Sequence, residues 1–196
     1  MRRARRVVLA CLLATAGNWA WADATQIAST LCVACHGEGG NSTEPTFPRL
    51  AGLQLEYLTK QLNDFMSGKR KSDVMAPMMA QIKADDVPGL AAYYAAQAPL
   101  RGSSADASRA AAGKALFDDG NTTSGLPACL GCYQTGAAGN ERYPRLAGQH
   151  PTYTLQQMQA FKAGTRNNDK GKVMRSVAER MTDDEMVAVA EYLAGL

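Results

Sequence analysis

Two near-copies of one sequence pattern follow each other along the 196 residues of this chain. The letters PRLAG that begin at Pro48 recur at Pro144, 96 residues later, and the CxxC pair that begins at Cys32 recurs at Cys129, 97 residues later. A repeat of this kind means that each copy forms the same structural unit. The chain is therefore expected to fold as two tandem domains of one kind.

The first 22 residues have the composition of a cleavable export signal. Four arginines precede a short apolar run over 7–16, and small residues stand before Asp23. The run is too short to span a bilayer, which takes about 20 apolar residues. Without the four signal arginines the chain has 17 basic and 18 acidic residues, a balance that argues against nucleic-acid binding. We expect a periplasmic, non-membrane-spanning protein with a signal peptide at 1–22, an N-terminal domain at 23–100, a linker at 101–108 and a C-terminal domain at 109–196.

Both copies have helical periodicity and no convincing strand pattern. Apolar residues spaced three or four apart predict an amphipathic helix that ends at Gly68, with a counterpart over 151–164. Thr182 and Glu185 have the spacing of a capping box, which predicts the start of the last helix. The predicted fold class is all-α, and the apolar face of the first amphipathic helix is formed by Leu55, Leu58, Leu62 and Phe65.

The first cysteine pair is followed directly by a histidine, in the order Cys32-Val33-Ala34-Cys35-His36. Two thiols on one helical turn can each form a thioether bond to a porphyrin, and the adjoining imidazole can bind its iron. A disulfide and a thioredoxin-like site are alternatives, although the latter expects a βαβ setting. A four-cysteine zinc site expects its pairs about 15–20 residues apart, and these pairs lie more than 90 apart. The motif therefore predicts covalent haem c.

The second cysteine pair, Cys129 and Cys132, is followed by Tyr133 in place of a histidine. Three outcomes are open for a haem at this motif. It is absent or incompletely loaded, or it is bound with Tyr133 as a phenolate ligand, or Met174 and another donor bind the iron while Tyr133 fills space. His150, the other histidine, is expected to be a hydrogen-bonding loop residue near the haem or the domain interface.

An electron-transferring haem commonly has a second axial ligand, methionine or histidine. Aligning the two copies ahead of their last helices places Met75 opposite Met174, so these methionines are candidate sixth ligands. The neighbouring Met78 and Met79 are expected to fill apolar space, the usual role of methionine.

The whole chain after the signal resembles the dihaem cytochrome c4 family. The resemblance rests on CVACHGEGGN, FPRLAG and MAPM in the first copy, and on PACLGC, YPRLAGQH, GTRNND and VMRSVAERMTDDEM in the second. It implies two tandem cytochrome c-like domains, each wrapped around one covalently bound haem. It also implies that His36, Met75 and Met174 are iron ligands, and that the cofactor-binding residues are Cys32, Cys35, His36, Met75, Cys129, Cys132 and Met174.

The resemblance implies an electron carrier and not an enzyme, because a haem with two axial ligands has no open coordination position. Docking with a terminal oxidase or another membrane or periplasmic redox protein is expected to be transient. An acceptor subunit of a periplasmic dehydrogenase, for example one that oxidises a sulfur compound, is an alternative, and a peroxide-reactive haem at Tyr133 is another. Arg49 and Arg145 are expected either near the haem propionates or on the surface.

Overall fold

The computed structural model describes residues 23–196, and this part of the chain is built from helices. The export signal predicted at 1–22 lies outside the described residues. Apart from an isolated bridge between Asn121 and Leu126, the described residues contain no paired strands. No helix among them has the length and apolar composition needed to cross a membrane.

The first copy begins with helical backbone at 23–27 that continues through a π-helical turn, Ala28–Cys32. Its α-helices are α1 (Val33–His36), α2 (Leu55–Met66), α3 (Met75–Met79) and α4 (Val87–Ala95), and its 3₁₀ turns are Glu38–Gly40 and Ala84–Asp86.

Helix α2 agrees with the predicted amphipathic helix, except at its first residue. The helix ends at Met66, and Gly68 adopts a positive φ of 72° where the chain turns away. Leu58 is buried, whereas Leu55 is 42% exposed. Leu55 lies in the first turn of the helix and does not contribute to the apolar face, so that part of the prediction was wrong.

The second copy repeats this arrangement with one longer helix at its start. Its α-helices are α5 (Ala107–Asp119), α6 (Leu130–Tyr133), α7 (Pro151–Lys162), α8 (Val173–Ala178) and α9 (Asp183–Ala194), and its 3₁₀ turns are Thr135–Ala137 and Lys170–Lys172. The predicted capping box is confirmed: the Thr182 amide donates to Glu185 Oε2 at 2.8 Å, and the Glu185 amide donates to Thr182 Oγ1 at 3.2 Å.

Each copy has its own hydrophobic core. In the first copy the fully buried Leu90 and Ala91 of α4 pack with Leu58 of α2. In the second copy α5 crosses α9, and Phe117 packs against Tyr192 with ring centroids 5.3 Å apart. The described chain therefore forms two all-α domains, each of which buries its own apolar residues.

The two domains meet through hydrogen bonds between equivalent positions of the two copies. Gln54 Nε2 donates to the Ala138 carbonyl at 2.8 Å, and His150 Nε2 donates to the Ser42 carbonyl at 2.9 Å. Gln54 and His150 are related by the 96-residue offset, and so are Ser42 and Ala138. His150 therefore lies at the domain interface, where it replaces the glutamine of the first copy.

A polar cluster at the same interface has the same symmetry. Arg70 Nη2 donates to Tyr153 Oη at 2.9 Å and to Gln157 Oε1 at 3.0 Å. In the reverse direction Arg166 Nη2 donates to Tyr57 Oη at 3.1 Å and to Gln61 Oε1 at 3.3 Å. We call these side chains the interdomain cluster: Tyr57, Gln61, Arg70, Tyr153, Gln157 and Arg166.

The buried position of His150 predicts a pH-dependent stability. The pKa of His150 is lowered, mainly because burial disfavours the charged imidazolium. The hydrogen bond to the Ser42 carbonyl acts in the opposite direction. The positive charge of Arg49 lowers the pKa further, and the negative charge of Glu44 raises it. When folding lowers the pKa of a histidine, the neutral ring contributes to the free energy of unfolding. This contribution is complete above the pKa in the unfolded state, about 6.5, and it is lost as the pH falls through the pKa in the folded state. We expect the melting temperature to fall on acidification below pH 6.5.

The matched variant is His150→Gln, which installs the residue that the first copy has at this position. An amide can still donate to Ser42 but does not titrate, so the variant should lose less melting temperature than the wild type between about pH 6.5 and 5. Thermal unfolding at a series of pH values measures this difference. Equal pH profiles for the two proteins would show that His150 is not the group responsible.

Candidate haem sites

Both cysteine pairs line one cavity of about 1120 Å³ that lies between the two domains. This volume exceeds the roughly 300–1,000 Å³ of a cavity for one drug-sized ligand. The first domain contributes Cys32, Cys35 and His36 to its wall, and the second contributes Cys129 and Cys132. Within residues 23–196 the four cysteines carry free thiols. The cavity therefore has the size and the attachment groups for large cofactors.

His36 is held in the form that can bind a metal. It ends helix α1, is 7% exposed, and its Nδ1 lies 2.9 Å from the Pro48 carbonyl. A carbonyl only accepts, so Nδ1 carries the proton and Nε2 keeps its lone pair. Burial lowers the pKa of His36, and the hydrogen bond to Pro48 only partly opposes this effect. The lowered pKa favours the neutral imidazole. The ring is thus oriented with one nitrogen available as a ligand.

Helix α3 brings methionine to the wall of the same cavity. Its start is fixed by Ser72 Oγ, which accepts a hydrogen bond from the Met75 amide at 3.1 Å. Met75 and Met78 both line the cavity, and Met79 also reaches it although only 2% of its surface is exposed. The ligand role of Met75 therefore stays a prediction, since Met78 shares the wall.

The equivalent groups of the second domain contact each other. Tyr133 ends helix α6, is 8% exposed, and its hydroxyl donates to Met174 Sδ at 2.9 Å. The Tyr133 ring also packs edge-on against Tyr143, with centroids 5.4 Å apart. Burial raises the pKa of the Tyr133 phenol far above its usual range. The phenol is therefore neutral, and it is bonded to the residue predicted as the sixth ligand.

The first domain offers two thiols, a neutral imidazole and the methionines of α3 to a haem, whereas the second domain offers only part of that set. The thiols and the apolar wall of the second domain match those of the first. Burial raises the pKa of Cys129 to about 11, and this disfavours the thiolate that disulfide formation requires. Two ligands on opposite sides of a metal must stand about 4 Å apart, because metal–ligand bonds are roughly 2.0–2.3 Å long. The 2.9 Å between Tyr133 Oη and Met174 Sδ leaves no room for an iron between them.

The two equivalent arginines have different surroundings. Arg49 Nη1 donates to the Gly148 carbonyl at 2.8 Å, and its Nε donates to the Ser42 carbonyl at 3.3 Å. Arg145 Nε and Thr154 Oγ1 are buried, line the cavity and have no hydrogen-bond partner among the described residues. Buried polar atoms are usually satisfied, so these two fit the carboxylates of a porphyrin.

Gln134, directly after the second cysteine motif, is a departure from the first copy that sequence reasoning missed. It follows Tyr133 and adopts φ 64°, ψ 173°, while its counterpart Gly37 adopts φ 72°, ψ 171°. This backbone region is essentially restricted to glycine. The 97-residue offset could have found it, because it aligns His36-Gly37 with Tyr133-Gln134. The second motif therefore differs from the first at two consecutive positions.

Replacing Gln134 with glycine is expected to stabilise the second domain by about 1–2 kcal/mol, because a strained residue in this region costs roughly 1–3 kcal/mol. Urea unfolding of the two proteins measures the gain. The control is Lys172→Gly, at a residue with φ 60° and ψ 21°, a left-handed conformation that other residues tolerate better. A gain at position 172 equal to or larger than that at 134 contradicts the expectation.

Comparison with known proteins gives one consistent result. The Cytochrome c family model matches residues 21–96 and again residues 110–196. Cytochrome c4 of Thiocapsa roseopersicina is 43% identical over 172 residues, which cover 86% of this chain and 88% of that protein. The thiosulfate dehydrogenase electron acceptor of Thiomonas intermedia (strain K12) is 40% identical over 198 residues, which cover 99% of this chain and 91% of that protein. The crystal structure of reduced recombinant cytochrome c4 from Pseudomonas stutzeri superposes with a TM-score of 0.84 at 37% identity, covering 89% of this chain and 98% of that one.

Proposed function

Because this chain belongs to the cytochrome c4 family, with two tandem cytochrome c domains and the electron-carrier function of that family, we propose that it carries single electrons between redox partners in the periplasm. The observation that carries the proposal is the orientation of His36, whose Nδ1 is fixed by Pro48 at 2.9 Å and whose Nε2 is left as a ligand atom. Cys32 and Cys35 line the same cavity on the same helical turn.

The residues of the first domain suit an electron carrier because they can hold one cofactor rigidly. Bound haem c supplies an iron that changes its charge by one unit. Cys35 of α1 and Cys32 directly before it would anchor the haem covalently, the carbonyl of Pro48 fixes the plane of the His36 ring, and His36 and Met75 would hold the iron. A haem held in this way by two side chains would leave no position for a substrate, which agrees with an electron carrier and not an enzyme.

The proposal is tested on the full chain, with its export signal, expressed together with a c-type maturation system. We expect periplasmic protein cleaved before Asp23, covalent haem in the first domain by intact mass, and a reversible one-electron wave in spectroelectrochemistry. Cys32→Ala with Cys35→Ala should lower the haem content by one per chain and remove the wave of the first domain. Protein that is retained in the cytoplasm, or a double variant with the same haem content and the same number of transferred electrons as the wild type, would contradict the proposal.

A second candidate is narrower: the chain accepts electrons from a thiosulfate dehydrogenase. It is supported by the Thiomonas intermedia relative, whose similarity covers 99% of this chain. The test mixes oxidised holoprotein with thiosulfate and a thiosulfate dehydrogenase and follows haem reduction by stopped flow. Reduction much faster than that of an unrelated small cytochrome c supports the candidate, whereas equal rates leave a general carrier that delivers electrons to a terminal oxidase or another partner.

A further inference from the structure

One peptide group of the first domain is hydrogen-bonded at both of its polar atoms. The carbonyl of Pro48 accepts from His36 Nδ1 at 2.9 Å, and the amide of Arg49, which belongs to the same peptide group, donates to Gln149 Oε1 at 2.9 Å. A peptide group is planar and conjugated, so its carbonyl and its amide keep one orientation and share one electron system. Gln149 therefore links the second domain to the His36 ring through a single peptide group.

The contacts of Gln149 leave its side-chain amide only one orientation. Gln149 Nε2 donates to the Arg49 carbonyl at 2.9 Å, and its Oε1 also accepts from the His150 amide at 3.1 Å. A backbone amide only donates and a backbone carbonyl only accepts, so a flipped side chain would lose all three bonds. Gln149 is buried, and Arg49 is held again where its Nη1 donates to the Gly148 carbonyl at 2.8 Å. The second domain therefore fixes the backbone of Arg49 in place.

A hydrogen bond at one end of this peptide group strengthens the bond at its other end. Hydrogen bonds in a chain polarise one another inside a protein, so an acceptor on the Arg49 amide makes the Pro48 carbonyl a stronger acceptor for the His36 ring. A histidine whose second ring N–H donates to a stronger acceptor is a more basic ligand. A more basic ligand favours oxidised iron, and hydrogen bonds to the ligands are one means by which proteins set haem potentials.

We propose that Gln149 is a positioning residue of the second domain that acts on His36 through the peptide group of Pro48 and Arg49, and that it lowers the reduction potential of a haem in the first domain. The inference rests on the proposed function, because it takes His36 as an iron ligand. The second domain then tunes electron transfer in the first through its own side chain, whatever cofactor the second domain holds.

The test compares reduction potentials of the loaded full chain by spectroelectrochemistry. Gln149→Leu installs the residue that the first copy has at the equivalent position, Leu53, and it should shift the wave of the first domain to a more positive potential. Gln149→Glu keeps an acceptor for the Arg49 amide and should produce no positive shift. The wave of the first domain is identified as the one that Met75→Ala displaces. A positive shift of the same size in both Gln149 variants would overturn the proposal, because loss of packing would then explain it.

The matched control is Gln54→Leu, which removes the corresponding bonds in the reverse direction across the same interface. Gln54 Oε1 accepts from the Arg145 amide at 2.7 Å, and its Nε2 donates to the Ala138 carbonyl at 2.8 Å. The peptide group before Arg145 belongs to the second domain, whose motif has Tyr133 in place of the histidine. This variant should weaken the interface and leave the potential of the first domain nearly unchanged. Equal shifts in Gln54→Leu and Gln149→Leu would show that a looser interface is the cause and would reject the proposal.

A measurement on the wild-type protein keeps the proposal testable if Gln149→Leu fails to fold. Amide hydrogen exchange followed by NMR should show a strongly protected Arg49 amide, and rapid exchange there would overturn the proposal because the bond to Gln149 would be missing. Failure of the proposed function gives a different result, since the wild type would then show no one-electron wave. A normal wave with the same potential in the wild type and in Gln149→Leu rejects the inference alone.

Discussion

Replacing Gly113 with alanine is expected to destabilise the second domain by about 3 kcal/mol, the upper end of the cost of overpacking a core. A Cβ at this position of α5 would lie 1.9 Å from the Ala188 carbonyl oxygen and 2.4 Å from its carbon. Both atoms are backbone of α9, so no side-chain rotation relieves the clash, and the two helices would have to separate. Thermal unfolding should show a drop of roughly 6–12 °C, at about 2–4 °C per kcal/mol for a chain of this size.

The control for this variant is Gly131→Ala, in helix α6. A Cβ there meets nothing within 4 Å, and the first copy already has alanine at the equivalent position, Ala34. Alanine is the better helix former by about 1 kcal/mol, so this protein should be as stable as the wild type or slightly more so. Similar losses in both variants would mean that the helix crossing is not the cause.

Replacing Met75 with alanine is expected to abolish the Met-to-Fe(III) charge-transfer band near the red end of the spectrum and to lower the potential of the first haem. A methionine ligand raises haem potentials, and axial ligands tune them over a range of about 0.8 V, so the shift should be large. Optical spectra of the oxidised protein and spectroelectrochemistry measure the two effects.

Met78→Ala is the matched control, because Met78 lies in the same helix and lines the same cavity. It removes the same volume and the same sulfur chemistry, and it should leave both the band and the potential nearly unchanged. The opposite result, with the band lost only in Met78→Ala, would show that the alignment of the two copies is displaced by one turn of α3.

The repeat and its helical periodicity predicted much of the fold, because these features are local or recur at fixed offsets. The capping box at Thr182 and the amphipathic helix that ends just before Gly68 are confirmed. The orientation of His36 follows from the position of Pro48, which no local pattern reveals. The exposure of Leu55 was missed because periodicity places a residue on a face but does not say where the neighbouring elements end.

The interdomain cluster and the contact of Tyr133 with Met174 could not be predicted from the sequence. Both join residues 41 to 109 positions apart through side-chain atoms, and each depends on side-chain length and on the packing of two helices. The sequence indicated that Tyr133 breaks the motif but left its partner open. Gln134 differs from these cases, because the offset alone would have identified it.

The symmetry of the interdomain cluster has an evolutionary consequence. Arg70 bonds to the tyrosine and glutamine of the second copy just as Arg166 bonds to those of the first, which is the reciprocal pattern of an isologous dimer interface. In a homodimer encoded by one gene, a His-to-Tyr change would alter both haem sites at once. Fusing the two copies into one chain lets one site diverge at Tyr133 while the other keeps His36, so duplication here separates the two sites as independent targets of mutation.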